Sequence, residues 1–257
     1  MANVITSRKN QIIKFCTELS NSSSLRKEHK LFLIEGARLC SDATKSGTGI
    51  FRLFYTQKAK TKYQKYINLI SAKEVHEITE PVASLLSSTK NSQGVFALCE
   101  FPKEENEIKG KILVLENMQD PTNMGAVFRT AQALGIKTFV LLGDCCDPYS
   151  PKVSRGSMGA IFKIDIHFKN DTKEFIKEIQ NKNYKCFAAV PSSDAKDIRT
   201  LNFAHNSAVF IGNEGNGLSE IAKTYCDEQI TIPMKGMAES LNASVAAAIL
   251  MWEMTKD

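Results

Sequence analysis

A chain of 257 residues, 43% of them apolar, is long enough for two domains or one large one, and its composition is that of an ordinary globular protein. No apolar run reaches membrane-spanning length and no charged-then-apolar leader opens the sequence, so a cytoplasmic protein with no membrane partner is expected. Seven scattered cysteines without a C-x-x-C pair argue against disulfides, and four histidines far apart in sequence show no metal-ligand spacing, so no metal is expected.

The net charge of +5 is mild but uneven. Residues 1–105 hold 16 Lys and Arg against 10 Asp and Glu, while residues 106–257 hold 17 against 18. A basic first part fits a module that holds a polyanion, and fits a solvated basic face about equally well.

In chain order, apolar spacing predicts a helix over residues 1–22, broken by Ser20 to Ser24. A charged loop at 26–30 leads to a strand at 31–35, and Gly36 starts a helix. A strand at 52–56, a short helix at 82–88 and a strand at 95–99 complete a small αβ domain. The polar stretch 101–110 reads as a linker, so the domains are placed at 1–105 and 106–257.

Beyond it, strands and helices alternate. Strands are predicted at 112–115, 138–142, 186–190, 208–211 and 229–232. Helices are predicted at 123–134, 152–158, 171–181, 219–224 and 241–254. This alternation predicts a parallel sheet covered on both faces, with binding sites beyond the carboxyl ends of its strands.

Three polar segments each follow a strand. The first runs Glu116-Asn-Met-Gln-Asp-Pro-Thr-Asn-Met-Gly-Ala-Val-Phe-Arg129. The second is Gly212-Asn-Glu-Gly-Asn-Gly217, which is G-x-x-G-x-G and so no dinucleotide fingerprint; by itself it reads as a Gly-rich turn. The third runs from Ile232-Pro-Met234 through Glu239-Ser-Leu-Asn242 into an Ala-rich helix. Read alone, Arg129 is a solvated or paired helix residue and Asn123 is the cap of its helix.

In this order and spacing the three segments resemble the signature motifs of the SpoU (TrmH-like) RNA ribose 2′-O-methyltransferases, within the SPOUT superfamily. The resemblance implies a parallel sheet with a deep trefoil knot, S-adenosylmethionine as cofactor, an RNA substrate and a homodimer. It implies a catalytic set of Arg129, Glu214, Ser240, Asn242 and Asn123, with Glu214 aiming Arg129. It further implies a cofactor cradle of Ile211, Gly212, Gly217, Ile232, Met234, Ser240 and Leu241. The resemblance implies that Arg129 activates the ribose 2′-hydroxyl, as general base or as electrostatic stabiliser; because a guanidinium stays protonated, we prefer phosphate binding and stabilisation of a developing alkoxide, with a phosphate oxygen or water taking the proton.

The first domain resembles the substrate-binding domain of the same enzymes, at Glu35-Gly-Ala-Arg38 and Asn91-Ser-Gln-Gly94. Arg8, Lys9, Arg26, Lys27, Lys30 and Arg38 are therefore expected to contact RNA, with Lys152 and Arg155 from the second domain. Lys58, Lys60 and Lys62 form a further basic cluster. The two-domain layout favours 23S ribosomal RNA. The alternatives are a transfer-RNA ribose and a non-catalytic RNA-binding protein of the same fold.

Overall fold

The structure is a computed structural model that describes residues 4–103 and 107–256. It opens with β1 (Val4–Ile5), α1 (Gln11–Asn21), α2 (Ser23–His29), β2 (Leu31–Glu35) and α3 (Ala37–Lys45). Then come β3 (Ile50–Tyr55), α4 (Gln57–Lys62), α5 (Gln64–Ile67), β4 (Glu74–Ile78), α6 (Glu80–Leu86) and β5 (Val95–Glu100). The five strands form one mixed sheet in the order β1-β4-β3-β5-β2. Ile13, Cys16 and Leu19 of α1 pack into its core with Leu33, Phe54 and Phe96.

Two expectations for this region change. The first helix starts only at Gln11, where the Asn10 carboxamide oxygen accepts from the Ile12 N–H at 2.9 Å; residues 1–3 of the expected helix lie outside the described residues. The charged loop at 26–30 is mostly helix α2, capped by Ser22 and stopped by Lys30 in the left-handed region at φ 52°. Arg26 is consequently no RNA contact. It is buried, its Nε donates to Asp147 at 2.6 Å, and its Nη1 donates to the carbonyls of Leu19 and Ser20 at 2.6 and 2.8 Å. A buried guanidinium that ties off the end of α1 is satisfied inside the protein.

The chain continues with β6 (Ile112–Glu116), α7 (Pro121–Leu134), β7 (Thr138–Leu142), α8 (Pro151–Gly156), β8 (Asp165–Lys169), α9 (Thr172–Gln180) and β9 (Lys185–Ala189). It ends with β10 (Lys196–Asp197), β11 (Ser207–Ile211), α10 (Glu220–Tyr225), β12 (Glu228–Thr231) and α11 (Ala243–Met254). The seven strands form one sheet in the order β10-β12-β9-β11-β6-β7-β8, with every pairing parallel. β6, β7 and β11 are buried at all five positions, as their unbroken apolar runs require of strands covered on both faces. Helix α7 begins at Pro121, two residues earlier than expected. Asp120 is its cap, accepting from the Thr122 N–H at 2.7 Å, and Gly135 ends it at φ 79°. Asn123 is therefore inside the first turn and is not the cap.

The described residues group into two compact units. One comprises residues up to Lys103 together with Asp147–Phe162; the other comprises the remainder. The sequence placed a single boundary near residue 105. The structure adds to the first unit the stretch that joins β7 to β8, where Tyr149 and Phe162 pack on the ring of Phe32 at 5.1 and 6.2 Å. Of the expected linker, residues 104–106 lie outside the described residues.

Candidate active site

The loops that leave the carboxyl ends of β9, β11 and β12 enclose a cleft of about 560 Å³, a size typical of small-molecule sites. Ile211, Gly212 and Gly217 line one wall; Ile232, Met234, Ser240 and Leu241 line another. All seven residues expected to cradle the cofactor thus lie around one space. Asn123 and Arg129, both on helix α7, and Asn242, the residue before α11, do not line it.

A chain of side-chain hydrogen bonds joins the three motifs. Asn242 donates through Nδ2 to Oδ1 of Asn123 at 3.1 Å, and Asn123 donates through Nδ2 to Glu214 at 3.1 Å. Asn242 also caps α11, accepting from the Ser244 and Val245 N–H groups at 2.9 and 3.4 Å. Glu214 accepts from the backbone N–H groups of Gln119 and Asp120 at 3.3 and 3.1 Å. Burial pushes the Glu214 carboxyl up. The amide of Asn123 and the backbone N–H groups of Glu214, Asp120 and Gln119 outweigh it and leave the carboxyl below the usual range. It is a fixed anion at neutral pH.

The expected pairing of Glu214 with Arg129 is absent among the described residues, because Glu214 spends its oxygens on the start of α7. Arg129 is exposed and makes no hydrogen bond or ion pair among the described residues. It shares a helix face with Thr122, exposed, and Ala126, half-buried, whereas Asn123 faces the core with Val127. Its side chain leans toward the start of the helix, the end that carries Asn123.

Two anchors of the Gly-rich loop were not visible in the sequence. Glu116 is 1% exposed and accepts from the Ser219 N–H and Oγ, each at 2.8 Å, and from the Thr172 Oγ at 2.7 Å. Asn213 donates to the Asn117 carbonyl at 2.8 Å and accepts from the Gly215 and Asn216 N–H groups at 2.8 and 3.1 Å. The one available signal was an acid closing an otherwise apolar strand. Gly212 is required here: a Cβ on it would stand 2.1 Å from the Gly217 carbonyl carbon.

The cleft suits a cationic cofactor. Its charged residues are Glu214, Glu239 and Lys223, and Lys223 is paired with Glu220 at 2.8 Å. Helix α10 puts Glu220 in its first turn, which disfavours a phosphate there. A sulfonium compound meets two carboxylates and apolar walls from Ile211, Ile232 and Leu241, so the residues present fit S-adenosylmethionine. Among the described residues no cluster of three or more His, Cys, Asp or Glu could hold a metal ion.

The SpoU rRNA methylase family profile matches residues 110–252, and that of an MRM3-like substrate binding domain matches residues 10–97. The chain is 30% identical to a 23S rRNA (guanosine(2553)-2′-O)-methyltransferase of Bacillus subtilis, covering 97% of this chain and 98% of that one. It resembles the crystal structure of an AdoMet-bound rRNA methyltransferase from Sinorhizobium meliloti at 28% identity and TM-score 0.84, over 98% of this chain and 97% of that one. The crystal structure of an RNA 2′-O ribose methyltransferase matches at 31% identity and TM-score 0.81, over 97% of both chains. The chain belongs to the SpoU rRNA methylase family. It is a methyltransferase that uses S-adenosylmethionine and acts on RNA.

Proposed function

We propose that this protein methylates a ribose 2′-hydroxyl of 23S ribosomal RNA. The observation that carries the reading is the Asn242–Asn123–Glu214 network, which ties the first motif to the two motifs that line the cleft. The choice of 23S RNA is supported by 30% identity, over nearly the whole length of both chains, to a Bacillus subtilis enzyme named for that RNA. When bound, S-adenosylmethionine supplies an electrophilic methyl group. The protein's own task is then largely placement. Gly212, Ile232 and Leu241 would hold the cofactor, while Glu214 and Asn123 fix the start of α7. Arg129, cationic throughout, binds the neighbouring phosphate and stabilises negative charge developing on the 2′-oxygen. Ser240, which lines the cleft, orients the ribose, and Asn242 holds Asn123 in place behind the motif junction.

Part of this reading concerns assembly. The trefoil threading of the family is supported by β9 lying between β12 and β11 while the loops after all three strands share the cleft. A homodimer is supported by Val245 and Trp252 on α11, 47% and 59% exposed and two turns apart on one face. No described helix is long and apolar enough to cross a membrane, in keeping with action on ribosomal RNA in the cytoplasm.

The deciding experiment is Arg129→Ala. Cofactor affinity by calorimetry should stay unchanged while methylation of unmodified 23S RNA falls by about 100-fold or more. Wild-type turnover in that variant would remove Arg129 from the mechanism. Methylation of transfer RNA alone by the wild-type protein would overturn the substrate assignment.

A further inference from the structure

We propose that the exposed face of α4 and α5 is a phosphate-binding track for the substrate RNA. This rests on the RNA-methylation reading above and names a surface that the motifs do not.

Between Thr56 and Lys73 the chain carries five lysines and no Asp or Glu. Lys73 is taken by Glu100 at 2.7 Å. Lys58, Lys60, Lys62 and Lys65 are exposed and have no carboxylate partner among the described residues. Rings hold three of them instead. The Nζ atoms of Lys60, Lys62 and Lys65 lie 5.5, 5.3 and 5.0 Å from the ring centroids of Tyr55, Tyr63 and Tyr66. A cation over an aromatic face keeps its full charge, whereas an ion pair cancels it.

The contrast with the second unit gives this pattern its meaning. There Lys109, Lys169, Lys182, Lys185, Lys196 and Lys256 each stand within 3.5 Å of a Glu oxygen. Self-neutralisation is thus common on that surface, and α4 with α5 departs from it over four lysines in eight residues. Among residues first expected to meet RNA, Arg26 is buried and Arg38 shares its charge with Asp42 at 3.7 Å. Arg8, Lys9 and Lys27 are exposed as well, but nowhere else among the described residues of the first unit do four such cations fall within eight residues. Four cations within eight residues, three of them held over rings, match a polymer with one charge per phosphodiester, and their binding releases counterions.

The test compares two quadruple variants of the full chain with equal charge loss. One is Lys58→Gln, Lys60→Gln, Lys62→Gln and Lys65→Gln. The control is Lys109→Gln, Lys182→Gln, Lys185→Gln and Lys256→Gln. Filter binding to in-vitro-transcribed 23S RNA is measured across a salt series, with calorimetric affinity for S-adenosylmethionine as the check on folding. The first variant should lower the salt slope by about 3, at roughly 0.7–0.9 per lost phosphate contact, with cofactor affinity unchanged. The control should keep a slope near that of the wild type. Equal losses in the two variants, or no loss in the first, would overturn the track while leaving wild-type methylation intact. Failure of the wild-type protein to bind or methylate the RNA would take down the underlying reading, and this inference with it.

Discussion

Two loops face each other across the cofactor cleft, and they are held in opposite ways. Residues 212–219 are pinned: Asn213 and Gly217 exchange backbone hydrogen bonds at 3.0 and 2.9 Å, Asn213 reaches the Asn117 carbonyl, and Ser219 is clamped by Glu116. Residues 232–241 make no hydrogen bond among the described residues, and Met237 within them is fully exposed. One wall is thus shaped before any ligand arrives; the other is free to adjust to it. A site that must admit both a small cofactor and a bulky RNA gains from having only one rigid side.

The sharpest way to break this contrast is at Glu116. Glu116→Ala leaves the half-buried Ser219 and Thr172 donors without their acceptor, so stability should drop by about 2 kcal/mol, read as a Tm lower by roughly 5 °C. Glycine gives a paired test. Gly212→Ala forces the pinned loop off Gly217 and should weaken S-adenosylmethionine binding by about 100-fold, the equivalent of some 2–3 kcal/mol of overpacking. Gly236→Ala meets nothing within 4 Å, and calorimetry should find its affinity unchanged. Hydrogen exchange sharpens the comparison further: 212–219 should be protected with or without cofactor, while 232–241 should exchange rapidly and slow by about tenfold when S-adenosylmethionine is added. Equal rates in the two loops would abolish the distinction.

The smallest expected effect is at Glu214, whose folded carboxyl titrates below its unfolded value. Its contribution is complete above the ordinary carboxylate range and is lost as pH falls through the lowered folded value. The stability difference between wild type and Glu214→Gln, from urea unfolding, should therefore be present at neutral pH and vanish in acid. A difference that grows in acid would reverse the assignment.

Much of the second unit was legible because its central strands are buried on both faces. Ile112–Leu115 and Val209–Ile211 read as apolar runs and stand at the sheet centre. The edge strand β8 was missed: Asp165-Ile-His-Phe-Lys169 is largely polar, with only Ile166 buried. β4 was missed for the same reason, as Glu74-Val-His-Glu-Ile78 buries only Ile78. At the site, the second and third motifs supply cleft-lining residues because each follows a strand of one sheet, whereas the first reaches them through Asn123 and lines none of the cleft. What stayed hidden were long-range partners. Arg26 sits in a charged run and reads as solvent-facing, yet its carboxylate lies 121 residues away at Asp147. Glu116 likewise gave no hint that it clamps Ser219, 103 residues on.

The stretch between β7 and β8 belongs to the first unit, although both strands belong to the second. No single cut can therefore divide the protein into two self-sufficient halves. A truncation starting at residue 107 would carry Tyr149 and Phe162 stripped of Phe32, their aromatic neighbour, and would be prone to clump. Surface substitutions, more than deletions, are the safe means of assigning tasks to either half.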